Sequence, residues 1–134
     1  MKSLLVLPFL VTLAFGQEAV CRCGAFVSTS EAEVEVLKFP NIQLADCTQT
    51  NYCAQTCKAE WERITNDGDL CSVKPDGDTV AQRMCNNLAD LGKENLQPHS
   101  VYLYYNVCGG PWLFDGQISR QELECRNTLA VVEC

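Results

Sequence analysis

Ten cysteines carry the most distinctive chemistry of this 134-residue chain. An even number of cysteines behind an apolar leader is typical of disulfides formed in an oxidising compartment, and each such bridge contributes about 2–5 kcal/mol. We therefore predict five disulfides, with a pairing left open, and no low-pKa thiol for nucleophilic catalysis. The cysteines are Cys21, Cys23, Cys47, Cys53, Cys57, Cys71, Cys85, Cys108, Cys125 and Cys134.

Two Asp-Gly-Asp triplets set pairs of carboxylates around a flexible residue, and calcium prefers oxygen ligands of this kind. The spacing and the closing glutamate of an EF-hand are missing. Both triplets stand where a turn is needed, one after a predicted helix and one before the next. Turn and capping chemistry is therefore the main interpretation, and weak calcium binding is the alternative. The four carboxylates belong to Asp67, Asp69, Asp76 and Asp78.

Four aromatic residues near the C-terminal third indicate a binding surface. Trp112 follows a Gly-Gly-Pro turn, where an indole can stay exposed and act as an anchor for a protein partner. Tyr102 and Tyr104 share one face of the preceding strand, and Phe114 lies on the returning strand. The alternative is that Trp112 folds back over the sheet and contributes to packing.

Catalytic groups are scarce. His99 is the only histidine, which excludes a two-histidine ribonuclease mechanism and a histidine-rich zinc site. The chain has no Gly-x-Ser-x-Gly elbow and no phosphate-binding glycine loop. Glycosidase chemistry needs only two carboxylates, but no candidate pair lies in a recognisable frame. We predict that the protein is not an enzyme, and we assign no catalytic residue.

The leader and the charge restrict the location and the partner. Residues 1–16 combine Lys2, an apolar run and a small-residue cleavage site after Gly16, which is typical of a signal peptide. The run is too short to span a bilayer, so we predict a secreted single domain over 17–134 without membrane insertion. The net charge of −7 argues against nucleic acid and favours a cationic partner or divalent cations.

Three helices are predicted to position these groups. The first begins near Asp46 or Thr48, ends at Asn66, and is expected to be the internal hub of the fold. The second is capped by Asp78 or Thr79 and ends at Gly92. The third begins at a capping box formed by Ser119 and Glu122. The buried stripe of the first helix is Cys53, Cys57, Trp61 and Ile64, and that of the second is Val80, Met84, Leu88 and Leu91.

Strands fill the remaining segments. Valines alternate with glutamates over 32–36, which favours a half-buried strand, although Ser30 and Glu33 also match a helix capping box. Residues 101–107 are the clearest strand and return as a hairpin over 112–114, and 129–132 is a closing strand. Cys21 and Cys23 share one face of an extended segment and are expected to bond to two different places.

These patterns predict an α+β fold: a small disulfide-rich secreted domain of about three helices packed on a small antiparallel sheet. The leading functional hypothesis is a non-enzymatic protein that binds an extracellular protein partner, as an effector, toxin-like ligand or inhibitor. The alternative is an acidic structural component of an extracellular or mineralised matrix that binds calcium weakly. A small secreted hydrolase is the third hypothesis.

Overall fold

The computed structural model describes residues 18–134, so the predicted signal peptide lies outside the described residues. None of the helices in this part of the chain is long and apolar enough to cross a membrane. The elements are β1 (Val20–Ser28), β2 (Glu33–Lys38), β3 (Ile42–Gln43), α1 (Thr50–Thr65), α2 (Val80–Asp90), β4 (Leu96–His99), β5 (Tyr102–Val107), β6 (Leu113–Ile118), β7 (Leu123–Arg126) and β8 (Leu129–Ala130).

The main sheet is antiparallel and is organised around β1. Strand β1 pairs with β2 and the short β3 on one side and with β5 on the other, and β6 follows β5 in the order β2-β1-β5-β6. Because side chains alternate along a strand, the sheet has two distinct faces. We call the inner face the one that carries the buried residues Cys21, Cys23, Ala25, Val27 and Leu103.

Helix α1 packs on the inner face, as its predicted stripe requires. Cys53, Cys57 and Trp61 are buried, and Asn66 in the left-handed conformation ends the helix. Two disulfides, Cys21–Cys53 and Cys23–Cys57, join β1 to successive turns of α1. The two cysteines of β1 thus bond to one helix and not to two separate segments, because their spacing along an extended strand matches one helical turn.

Helix α2 joins the same core and carries the smaller sheet. Thr79 caps it by accepting the backbone N–H of Gln82 at 3.0 Å, as predicted. The Cys85–Cys125 disulfide and the Gln82 amide, which bonds the backbone of Thr128 and Ala130, hold the three-stranded sheet β4-β7-β8 against the helix. Leu91 was assigned to the buried stripe, but it is exposed because the helix ends at Asp90.

The third predicted helix is wrong, since the described residues contain two helices and residues 123–126 form β7. Ser119 does not cap a helix. Its hydroxyl accepts the backbone N–H of Val101 at 3.0 Å and donates to the carbonyl of Gln121 at 2.6 Å. Leu123 and Cys125 are buried at alternate positions of β7, as expected for a strand. The segment forms a strand despite the local capping signal because it pairs with β4 and is joined to α2 by a disulfide.

All ten cysteines are paired, which confirms the prediction of five disulfides. The remaining two bridges are Cys47–Cys108, which fixes the segment before α1 to the end of β5, and Cys71–Cys134, which ties down the C terminus. No cysteine within residues 18–134 is free. The observed fold is therefore a small mixed domain with antiparallel sheets, two helices and five disulfides.

Candidate functional site

The face of the main sheet opposite α1, which we call the outer face, carries a continuous row of aromatic rings. Strand β5 places Tyr102 and Tyr104 there, and β6 with the residue before it adds Phe114 and Trp112. The structure therefore brings together all four residues proposed from the sequence. It adds Phe26 from β1, which lies opposite Tyr102 in the pairing of β1 with β5. We call these five residues the aromatic surface.

Neighbouring rings of the aromatic surface are in contact. Phe26 contacts two of the other rings, with its ring centroid 5.0 Å from that of Trp112 and 5.5 Å from that of Tyr104. Phe114 continues the row at 5.7 Å from Tyr104 and 5.8 Å from Tyr102. These tilted and edge-to-face arrangements are the favoured geometries of aromatic pairs, worth about 0.5–1.5 kcal/mol each beyond their buried area.

The aromatic surface is not a second core. Trp112 is 39% exposed and Phe114 is 49% exposed, whereas the other tryptophan, Trp61 of α1, is 1% exposed. The indole of Trp112 packs against Phe26 and still exposes a large area to solvent. The two interpretations of Trp112, packing over the sheet and exposure as an anchor, thus each describe part of the structure. A large exposed aromatic side chain on a rigid strand is typical of a binding surface.

Two grooves flank Trp112 on the outer face. The first has a volume of about 200 Å³ and is lined by Phe26, Glu33, Tyr104 and Trp112. The second has a volume of about 190 Å³ and a polar lining, formed by Arg22, Cys23, Glu35, Lys38, Asn41 and Trp112. Glutamates of β2 therefore border the aromatic surface at both grooves.

Glu35 folds over Gly24, and this position depends on the missing side chain of the glycine. A Cβ on Gly24 would overlap the Glu35 Oε2 and would lie 2.9 Å from the ring of Phe26. Burial raises the pKa of Glu35 above its ordinary value of 4.5, and the charges of Lys38 and Arg22 offset part of that effect. Ionised Glu35 is thus held next to the aromatic surface at some cost in stability.

Replacing Glu35 with glutamine is expected to stabilise the protein at neutral pH, and the gain should shrink as the pH falls. The pKa of Glu35 is higher in the folded chain than in the unfolded chain, so protonation of Glu35 stabilises the folded state. This contribution to the free energy of unfolding is fully present below about pH 4.5 and is lost as the pH rises through the raised folded-state pKa. Urea denaturation of wild type and Glu35→Gln at pH 4 and pH 7 measures the difference. Glu33→Gln, on the same strand but exposed, is the matched control. A gain that is larger at pH 4 would contradict this prediction.

The aspartates of the two triplets are engaged in turns and ion pairs. Asp69 accepts from the Gln121 amide at 2.9 Å and from the backbone of Cys71 at 3.0 Å, which lowers its pKa. Asp76 accepts from the backbone of Asp78 at 3.0 Å and pairs with Arg83, and Asp67 pairs with Arg120 at 3.4 Å. In residues 18–134 no three carboxylates converge within metal-ligand distance of one another. Calcium binding stays a prediction.

Two carboxylates have a raised pKa, but they do not form a catalytic pair. Burial raises the pKa of Asp115 on β6, and contacts with Gln117 and Lys58 offset part of the effect. Glu35 lies on β2, and the two strands between them imply a separation of about 14 Å. Glycosidases need about 5–9.5 Å between their carboxyl groups. His99, in β4, bonds only the carbonyl of Gln97 through its Nδ1.

Neither a protein-family model nor a curated protein nor a solved structure matches this chain. Because one fold can serve many functions, the function is argued from the geometry and chemistry of the site.

Proposed function

We propose that this chain is a secreted, non-enzymatic protein that binds an extracellular protein partner through the aromatic surface. The observation that carries the proposal is the position of five aromatic side chains on the sheet face opposite α1, with Trp112 and Phe114 widely exposed. Exposed apolar patches on a small protein mark interaction sites, and tryptophan and tyrosine are enriched among the residues that dominate binding energy.

The scaffold favours tight binding because it holds the aromatic surface rigidly. Four of the five residues lie on the neighbouring strands β1, β5 and β6, Trp112 directly precedes β6, and two disulfides fix β1 to α1. A surface that is ordered before binding loses little conformational entropy when a partner docks. Tyrosine and tryptophan add to this advantage, because they supply a large contact area with only two rotatable side-chain bonds.

The disulfides and the charge support the extracellular setting. Five bridges are typical of proteins that fold in an oxidising compartment, and the predicted leader over 1–16 directs the chain there. The net charge of −7 favours a basic partner, since complementary charges speed association. The identity of the partner would distinguish between an effector, a toxin-like ligand and an inhibitor.

Replacing Trp112 with alanine is expected to reduce partner binding about 30-fold or more, because truncating a central aromatic anchor costs about 2 kcal/mol or more. The measurement is affinity capture from the extracellular fluid of the producing tissue, with wild type and Trp112→Ala as immobilised baits. The partner is defined as a protein that wild type retains and an unrelated immobilised protein does not, and we expect the Trp112→Ala bait to lose it.

Leu129→Ala is the matched control for this capture. Leu129 is 64% exposed, lies on β8 in the smaller sheet, and takes no part in the aromatic surface. The proposed function requires that this variant retains the same partner as wild type. Equal loss from both variants, or retention by Trp112→Ala, would contradict it.

A further inference from the structure

The first groove has the composition of a site for a cationic group. Three of its lining residues, Phe26, Tyr104 and Trp112, are aromatic, and the fourth, Glu33, is a glutamate. Aromatic faces attract a cation through the negative charge above the ring, and arrangements of several rings recognise organic cations. A carboxylate at the rim adds the complementary charge.

The size of the groove fits one side chain. A volume of about 200 Å³ corresponds to about seven water molecules at about 30 Å³ each. Pockets for drug-sized ligands are larger, at about 300–1,000 Å³. The groove is also open on the protein surface, so a side chain that projects from another protein can enter it without any rearrangement of the sheet.

The charge of Glu33 is uncompensated within the described part of the chain. Its carboxylate accepts one hydrogen bond, from the Ser28 hydroxyl at 2.8 Å, and it belongs to none of the four ion pairs among residues 18–134. The second groove differs, because Arg22 and Lys38 lie beside Glu35 there. Only the first groove thus combines aromatic walls with an unpaired carboxylate.

We propose that the groove formed by Phe26, Glu33, Tyr104 and Trp112 binds an arginine side chain of the protein partner. This inference rests on the proposed function and names the chemistry that the aromatic surface recognises. The planar guanidinium stacks on aromatic faces and donates to a carboxylate in the same contact, which an ammonium does less well. The acidic charge of the whole chain favours a basic partner in the same way.

The test is a titration of the secreted chain with a short glycine–serine peptide that carries one arginine. Binding is monitored by the NMR signal of the Trp112 indole N–H. The matched probe is the same peptide with citrulline, which keeps the shape of arginine and lacks its charge. We expect arginine to shift the Trp112 signal with about tenfold higher affinity than citrulline. The indole of the buried Trp61 serves as the internal reference and should not shift.

Variants of the chain distinguish binding of arginine in the groove from general electrostatic attraction to an acidic protein. Glu33→Gln should weaken arginine binding several-fold, whereas Glu94→Gln, which removes the same charge at an exposed site outside the groove, should leave it unchanged. Phe26→Leu should also weaken binding, because it removes an aromatic wall. Equal binding of arginine and citrulline, or equal effects of the two glutamine variants, would overturn the inference. Binding to phosphatidylcholine vesicles without binding to the arginine peptide would overturn it as well.

The outcomes also separate this inference from the proposed function. If the arginine peptide does not bind while the captured partner still requires Trp112, the inference fails and the proposed function stands. If the partner binds Trp112→Ala as it binds wild type, the proposed function fails together with the inference that depends on it.

Discussion

Removing both disulfides between β1 and α1 is expected to lower the free energy of unfolding by about 6 kcal/mol, whereas removing either one should cost only about 2 kcal/mol. The bridges Cys21–Cys53 and Cys23–Cys57 close nearly the same loop of the chain. Once one bridge is present, the other closes only a small ring of about eight residues, so most of the unfolded-state entropy is already removed. The two contributions are therefore strongly coupled.

Guanidinium denaturation of three alanine variants measures this coupling: one for each bridge and one with both removed. Because each variant replaces both cysteines of a bridge, no unpaired thiol is left to exchange. A domain near the lower end of the ordinary range of about 5–15 kcal/mol should retain little stability without both bridges. If each single removal costs about 4 kcal/mol and the costs simply add, the account of a shared loop is wrong.

Replacing Trp61 with alanine is expected to lower the free energy of unfolding by about 3–5 kcal/mol, because the indole is almost fully buried and its loss leaves a cavity. Trp61 is the contact between α1 and the turn that follows it. A Cβ on Gly68 would lie 2.9 Å from the Trp61 ring and 3.2 Å from the carbonyl oxygen of Ile118. The indole of α1 therefore packs against the turn at Gly68, and Gly68 in turn lies next to the end of β6.

Trp112→Ala is the matched control for this prediction, since it makes the same change on the outer face. It should cost clearly less than Trp61→Ala, because the indole is partly exposed and its removal leaves no enclosed cavity; the aromatic pair with Phe26 accounts for about 1 kcal/mol of the loss. Denaturant titration of the two variants under non-reducing conditions gives both values. Equal losses from the two tryptophans would mean that the outer face contributes to stability as much as the inner face does.

The elements that follow a simple periodicity were predictable from the sequence. The stripe of Cys53, Cys57 and Trp61 identifies the buried side of α1, and the Thr79 cap marks the start of α2. The strands at 33–38 and 102–107 follow from β-branched and aromatic residues with an alternating pattern. In each case the local preference and the tertiary environment agree.

The third helix shows where local signals fail. The residues from Ser119 to Glu122 match a capping box, but the Ser119 hydroxyl bonds the backbone of Val101 and of Gln121. These hydrogen bonds of Ser119 depend on the adjacency of β5 and β6, which the local sequence does not reveal. The alternation of buried Leu123 and Cys125 with Glu124 and Arg126 was the available signal for a strand.

Four of the five residues of the aromatic surface were predicted from the sequence, but Phe26 was not. The hairpin pattern places Tyr104, Trp112 and Phe114 on neighbouring strands. Phe26 belongs to β1, which is distant in sequence and pairs with β5 only in the folded chain. From the sequence, only Cys21 and Cys23 were placed on one face of this segment; the continued alternation through Ala25 and Val27 was the available signal for the face of Phe26, but it does not reveal what Phe26 contacts there.

We propose that the outer face binds the partner, while the inner face and its disulfides provide stability. Isothermal titration of the captured partner into Trp112→Ala tests it most directly, with Leu129→Ala titrated in parallel. We expect Trp112→Ala to bind about 30-fold or more weakly than wild type, with Leu129→Ala close to wild type. A Kd of Trp112→Ala equal to that of wild type would contradict the claim.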